Sequence, residues 1–365
     1  MTAPTLSYTV RRSPYFDRTL DLGACEFMVY NHMYMPLGYG RDPRVDYDAL
    51  VERVTLWDVG AERQTELRGP DALALADYLC PRDLSGLAPG RCLFTPVCDE
   101  AGEIMADCIV LRVAEDVVWI SHSDVDLELW ARGMGLYRGF DAAVAEADVA
   151  PLQLQGPAAA AVLAPICPPG VATLPRFHCA TTTVAGVEAV VSATGWSREP
   201  GFEIYPLGSA RAVEIWDAIC AAGESHGLLV TGPNVVRAVE QGITDTQYRM
   251  NSGMNPIEAG IERMLELDGA DFVGRDALLA VRREGARRRT VGLVCDGPAF
   301  PWLEDFWPVT QAGREVGVAR WAVWSYALDR NIAIALVEVG TGDDGLVVHA
   351  PDGPRDATPH PIPFV

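Results

Sequence analysis

The chain has 365 residues, enough for two or three packed units, and its 49% hydrophobic and 22% charged residues give it a globular balance. A net charge of −21 argues against a nucleic-acid or anionic-membrane surface. All 29 basic residues are arginine, which excludes a Schiff-base lysine and a Walker-A phosphate loop. No apolar run is long enough to span a membrane, and "MTAPTLSYTVRRSPYFDRTL" lacks the apolar core of a signal peptide. A cytoplasmic enzyme is expected.

In chain order, the first distinctive segment is "MVYNHMYMP" (28–36), rich in aromatic residues and methionine and carrying His32. "GYGRD" (38–42) is not expected to follow a strand and lacks the third glycine of a dinucleotide fingerprint. "RQTELRGPDALALADYL" (63–79) is an alternating strand, a Gly-Pro step and an Ala/Leu-rich helix; proline suits a helix start, and Asp71 suits the helix dipole. Residues 104–113 form an apolar strand interrupted by Asp107, a costly residue there unless paired or hydrogen-bonded. A second run contains Trp119 and Ile120. "APLQLQGPAAAAVLAPI" (150–166) repeats the strand–Gly-Pro–helix unit, which suggests a duplicated α+β module. "DFVGRDALLAVRREGARRR" (271–289) has a helical pattern, and after 285 short β-like runs broken by Gly, Pro, Asn and Asp suggest a small all-β domain.

Nine scattered cysteines form no Cys-x-x-Cys pair, and the six histidines never fall at i, i+4 spacing. Free core thiols and no metal site are expected. No Gly-x-Ser-x-Gly elbow is present.

An ordered series of segments carries more information: "VYNHMYMP" (29–36), "LWDVGAERQTELRGPDA" (56–72), "CPRDLSGLAPGRCLFTPVCDEAGEIMADCIVLRV" (80–113), "WISHSDVDLELWARG" (119–133), "LQLQGP" (152–157), "TGWSREPGFEIY" (194–205), "NPIEAGI" (255–261) and "DFVGRDAL" (271–278). Their sequence and order resemble the folate-dependent aminomethyltransferase family of the glycine-cleavage T protein. "YNHM" and "LWDVGAERQ" lean toward its bacterial dimethylsulfoniopropionate demethylase branch. The resemblance implies an α+β, three-domain cloverleaf with duplicated α+β modules and a C-terminal β-barrel or Greek-key domain around a central folate channel. The expected boundaries are two interleaved α+β domains within 1–275 (1–50 plus 145–275, and 51–144) and a β domain at 276–365.

The resemblance also implies site residues. Asp107 matches the acid that faces the folate's reactive nitrogen, and Ala106 stands where relatives carry a neighbouring aspartate. Trp119 and Ser121 match a strand lining the pterin, largely through backbone groups, and Glu203 matches the glutamate that grips its ring. Glu240 keeps a further acid position of the cofactor site, but the arginine position two residues before it is Ala238, with Arg237 one residue early. One residue on a helix is a rotation of about 100°, so Arg237 does not simply replace that guanidinium. Only Arg263 follows "NPIEAGI" closely. Tyr30, His32, Tyr34 and Trp196 are candidate substrate contacts, the aromatics because cation–π contact suits a sulfonium. Arg287 to Arg289 or Arg320 are candidates for the folate's glutamate tail.

The implied reaction is methyl transfer from a small donor such as dimethylsulfoniopropionate to N5 of tetrahydrofolate, with no metal. Asp107 would orient N5 and offset its developing charge. Alternatives are an O- or N-demethylase or aminomethyltransferase acting on a methoxyaromatic or methylated amine, with His32 or Tyr34 as acid, and a non-catalytic folate-binding relative. The expected partners are the donor and folate, without nucleic acid or membrane, in a monomer or homodimer.

Overall fold

Alternating and helical hydrophobic patterns become two compact units in the computed structural model, which describes residues 6–243 and 253–365. One unit comprises Met1–Thr95 with Ala106–Asn234, the other Pro96–Met105 with Val235–Val365. Along the chain the second unit resumes at Val235. Val239, from the helix Val235–Glu240, belongs to an apolar cluster with the barrel residues Trp321, Ile332 and Ile334, so that helix goes with the barrel.

Both strand–Gly-Pro–helix segments form within the first unit. Arg63–Arg68 leads into Ala72–Leu79, and Leu152–Gln155 into Ala159–Leu163. Glycine is required at each step: Gly69 has φ +141° and Gly156 φ +124°. A Cβ on either would fall 2.6 Å from the Asp141 carbonyl oxygen or 2.7 Å from that of Arg53. Asp71 does more than complement a dipole, since its Oδ2 accepts from the Asp141 N–H at 2.8 Å.

The first unit contains two large sheets. The six-stranded sheet runs in the order Cys179–Val184, Val187–Ser192, Gly201–Pro206, Leu152–Gln155, Thr55–Asp58, Leu229–Thr231; its last pair is parallel and the others antiparallel. The five-stranded sheet runs Cys92–Cys98, Ile104–Ala114, Val117–His122, Arg63–Arg68, Ala143–Glu146. Leu111 and Trp119 of the second sheet pack with Val190 and Tyr205 of the first, so the two sheets face each other across this cluster. Behind the six-stranded sheet, Leu154 and Ile204 pack against Val162, Ile215 and Trp216 from its helices.

The second unit carries a closed six-stranded barrel: Arg288–Cys295, Arg330–Glu338, Arg314–Ser325, Trp307–Gln311, Leu346–Ala350 and Gly353–His360, which pairs back onto the first strand. Inward-facing Leu293, Val309, Ala335, Val337 and Val348 fill it. The helical pattern at 271–289 forms a helix over Arg275–Glu284. All nine cysteines are free. Among the described residues, no helix is long and apolar enough to cross a membrane, and no cluster of His, Cys, Asp and Glu could hold a metal ion.

Candidate active site

Strand alternation explains how an acid is tolerated in the 104–114 run. Ala106, Cys108 and Val110 are buried on one face, while Asp107 and Ile109 are half-buried on the other. Ala106 is fully buried, so a second carboxylate there would be enclosed in the core. Directly opposed residues share a face, and the register pairs Ile109 with Ser121 and Leu111 with Trp119. One pairing further along, the Ser123 N–H donates to the Asp107 carbonyl at 3.3 Å. On the next strand Gln64 opposes Ser121 and Glu66 opposes Trp119. Asp107, Ser121 and Gln64 therefore share the face that turns toward the other sheet.

That other sheet presents Glu203, paired in register with Ser192 and Gln153, and Gln153 in turn with Trp57. Glu203 is buried in a cage of neutral donors. Its Oε2 accepts from Thr194 Oγ1 (2.5 Å), Tyr205 OH (2.7 Å) and Ser192 Oγ (3.4 Å). Among the described residues its Oε1 accepts only from Gln153 Nε2 at 3.0 Å and keeps a lone pair to offer. Burial pushes the Glu203 carboxyl above its usual range, against the opposing pull of the hydroxyl bonds. The Gln153 amide also donates to Glu62 Oε1 at 3.2 Å, so it bridges a carboxylate from each side of the inter-sheet space. Gln153 Oε1 accepts from the Trp196 N–H at 3.2 Å, which ties the "TGWSREP" segment to the same network.

Tyr30 and Trp196 come together. Tyr30 is buried in a cluster with Trp57, Met35 and Leu50, and the half-buried Trp196 packs on it. The Trp57 indole N–H is buried there without a hydrogen-bond partner among the described residues. His32 and Tyr34 do not join them. Asn31 and His32 form a two-residue hairpin loop with φ +47° and +62°, and the register then pairs Tyr30 with Met33 and Val29 with Tyr34. Tyr34 thus lies on the opposite hairpin face, tilted against Phe16 and Phe27, its hydroxyl taking the Ser7 N–H. His32 is exposed at the hairpin tip, its Nε2 3.2 Å from Asp126. Sequence reasoning missed Asn31, whose side chain donates to the Ala61 carbonyl and accepts from the Val125 N–H while its own N–H donates to Asp124. It latches the hairpin to the segment following Ser123; the asparagine in "YNHM", a residue type enriched at positive φ, was the available signal.

Trp119 packs its side chain between the sheets. Its ring meets Tyr205 edge-on at 5.9 Å, its indole N–H donates to Glu66, and its backbone lies between two paired strands. Ser121 Oγ accepts from Gln64 Nε2 at 3.1 Å. In the second unit Glu240 is fully buried and engaged by its own fold: Arg237 Nη1 at 3.1 Å, Ser325 Oγ at 2.7 Å and the Ala327 N–H at 3.2 Å. Ala238, at the arginine position, is buried. Among the tail candidates, Arg288 is bound by both oxygens of Glu258, and Arg289 donates to the Thr341 carbonyl. Arg320 sits at a bulge of its strand over the Phe306 ring, its pKa lowered to about 10 by burial; Arg263 and Arg287 are exposed.

Comparison with known proteins places the chain in a family. Residues 15–269 match the GCVT N-terminal domain, and 288–365 the glycine cleavage T-protein C-terminal barrel domain. The chain is 34% identical to the dimethylsulfoniopropionate demethylase of Ruegeria pomeroyi over 96% of each chain, and 30% identical to an aminomethyltransferase of Moorella thermoacetica over 92% of each. The fold matches the glycine cleavage system aminomethyltransferase T of Bartonella henselae with a TM-score of 0.83 over 98% of each chain, at 22% identity. The α+β architecture with a C-terminal barrel is therefore the T-protein fold, and the chain belongs to the glycine cleavage T-protein family.

Proposed function

We propose that this protein is a tetrahydrofolate-dependent methyltransferase that takes a methyl group from a small sulfonium, dimethylsulfoniopropionate, and delivers it to N5 of tetrahydrofolate. The observation that carries the site is the Glu203 cage, with one oxygen still able to accept, on the sheet facing the one that bears Asp107. The folate supplies a nucleophilic nitrogen and N–H donors. Glu203 Oε1 is an acceptor suited to a ring N–H, and Asp107 suits the growing positive charge at the attacking nitrogen. Trp119 and Glu240 drop out as direct contacts in this proposal because core packing and Arg237 already engage them.

Two observations favour the sulfonium over an ether donor. Tyr30, Trp57 and Trp196 form an aromatic group suited to a cation that hydrogen-bonds poorly. His32 and Tyr34, the acids an alkoxide or phenoxide leaving group would need, lie at an exposed tip and on the far hairpin face. A sulfonium leaves as a neutral thioether and needs no proton. The aminomethyltransferase relatives keep an amine donor as the second reading.

The test is mass spectrometry of products from tetrahydrofolate with dimethylsulfoniopropionate, a methoxyaromatic or an N-methylated amine. The expected result is 5-methyltetrahydrofolate and 3-methylthiopropanoate from the sulfonium alone. Product from the ether or amine alone replaces the donor. Folate binding without product from any of the three makes the protein a binding relative.

A further inference from the structure

Gln64 lies on the same strand face as Ser121 and is 1% exposed. Its amide orientation is fixed by its neighbours. One terminal atom lies 2.9 Å from the Glu62 carbonyl oxygen, which can only accept, so that atom is the nitrogen; it also donates to Ser121 Oγ at 3.1 Å. The carbonyl oxygen, Oε1, then points away from both and is buried with no donor in reach among the described residues. An enclosed amide oxygen left unsatisfied is a standing cost of about 1–3 kcal/mol, and such orphans are few in native proteins. Flipping the amide would set oxygen against the Glu62 carbonyl and leave the nitrogen stranded. Removing the mismatch requires a hydrogen-bond donor from outside the described residues.

We infer that Gln64 is a ligand-contacting residue whose Oε1 accepts a hydrogen bond from an N–H or amino group of the pterin ring. This rests on the folate reading above and adds a residue to it. Glu203 Oε1 on the facing sheet and Gln64 Oε1 are then two acceptors offered to a donor-rich heterocycle, one charged and one neutral. Ser121 contributes through Gln64, because its hydroxyl takes the amide N–H and so fixes which way the acceptor points. Met at position 64 keeps the length and removes the acceptor, and Asn draws it back by one methylene.

The experiment is calorimetric titration of tetrahydrofolate into the full chain and its Gln64→Met and Gln64→Asn variants. Melting curves without ligand establish which variants fold, and KM is measured for the sulfonium. The expected result is a folate Kd raised about fivefold or more in each folded variant, with the sulfonium KM unchanged. An unchanged folate Kd in a folded variant overturns the inference, and leaves a trapped water as the partner of Oε1. A wild-type chain that binds no tetrahydrofolate is a different outcome, which removes the folate reading and this inference with it.

Discussion

Glu203 and Glu240 are both buried glutamates, and both fall on family positions for the cofactor, yet their surroundings are opposite. Glu203 is held by three hydroxyls and an amide, all neutral, with one oxygen still able to accept. Glu240 is held by the Arg237 guanidinium, a serine and a backbone N–H, and its own carbonyl accepts from the Phe364 N–H. A cationic partner closes a carboxylate into the fold, whereas a neutral cage holds it in place while leaving its charge for a ligand. On the proposed function, that difference makes Glu203 the binding acid and Glu240 a structural one, a distinction sequence position could not draw.

Mutation should widen that contrast. Glu240→Ala leaves Arg237 beside an empty site, and breaking a buried pair from one side costs about 3–5 kcal/mol. Chemical denaturation should show that loss, with folate affinity per folded molecule unchanged. Glu203→Gln should do the reverse: folate Kd should rise about 10- to 100-fold, as expected for a charge-assisted bond worth ~1.5–3 kcal/mol, with unfolding changed by less than Glu240→Ala. Equal effects on stability from both variants would erase the distinction.

Asp58 provides a third, intermediate case. It is buried with the Ser13 hydroxyl and the Gly60 N–H as its donors among the described residues, and burial raises its pKa from 3.8 to about 6. The folded state therefore keeps a proton through a range where the unfolded chain has released it. Stability from this group is full below about pH 4 and is lost as pH rises through about 6. Asp58→Asn should gain roughly 2 kcal/mol over wild type at pH 7–8, and the gain should vanish near pH 4. A pH-independent difference in melting temperature would show that ionisation is not the cause.

Much of the architecture was legible because it depends on local pattern. The two Gly-Pro steps have glycines that no other residue could replace without meeting backbone, and the barrel strands show as short β runs. The Asp107 position was legible as an exception to an apolar strand, and alternation explains how the strand tolerates it. The site's finer chemistry was less legible. Tyr30 and Tyr34 look equivalent along the chain, and only the two-residue Asn31–His32 loop assigns them to opposite faces. Gln64 and Trp57 looked like ordinary strand residues, because an unsatisfied oxygen or N–H is a property of the packed neighbourhood. Arg237 and Glu240 are three residues apart on one helix, a spacing at which side chains meet, so their pairing was available from the sequence.

The central claim is that Asp107, alone at its position beside Ala106, supports methyl transfer to folate. Single-turnover kinetics of Asp107→Asn with tetrahydrofolate and dimethylsulfoniopropionate, paired with the folate Kd, tests it most directly. The account predicts a methyl-transfer rate lowered about 100-fold or more, the scale of losing one charge-stabilising group, with folate Kd within about threefold of wild type. A rate equal to wild type would contradict it.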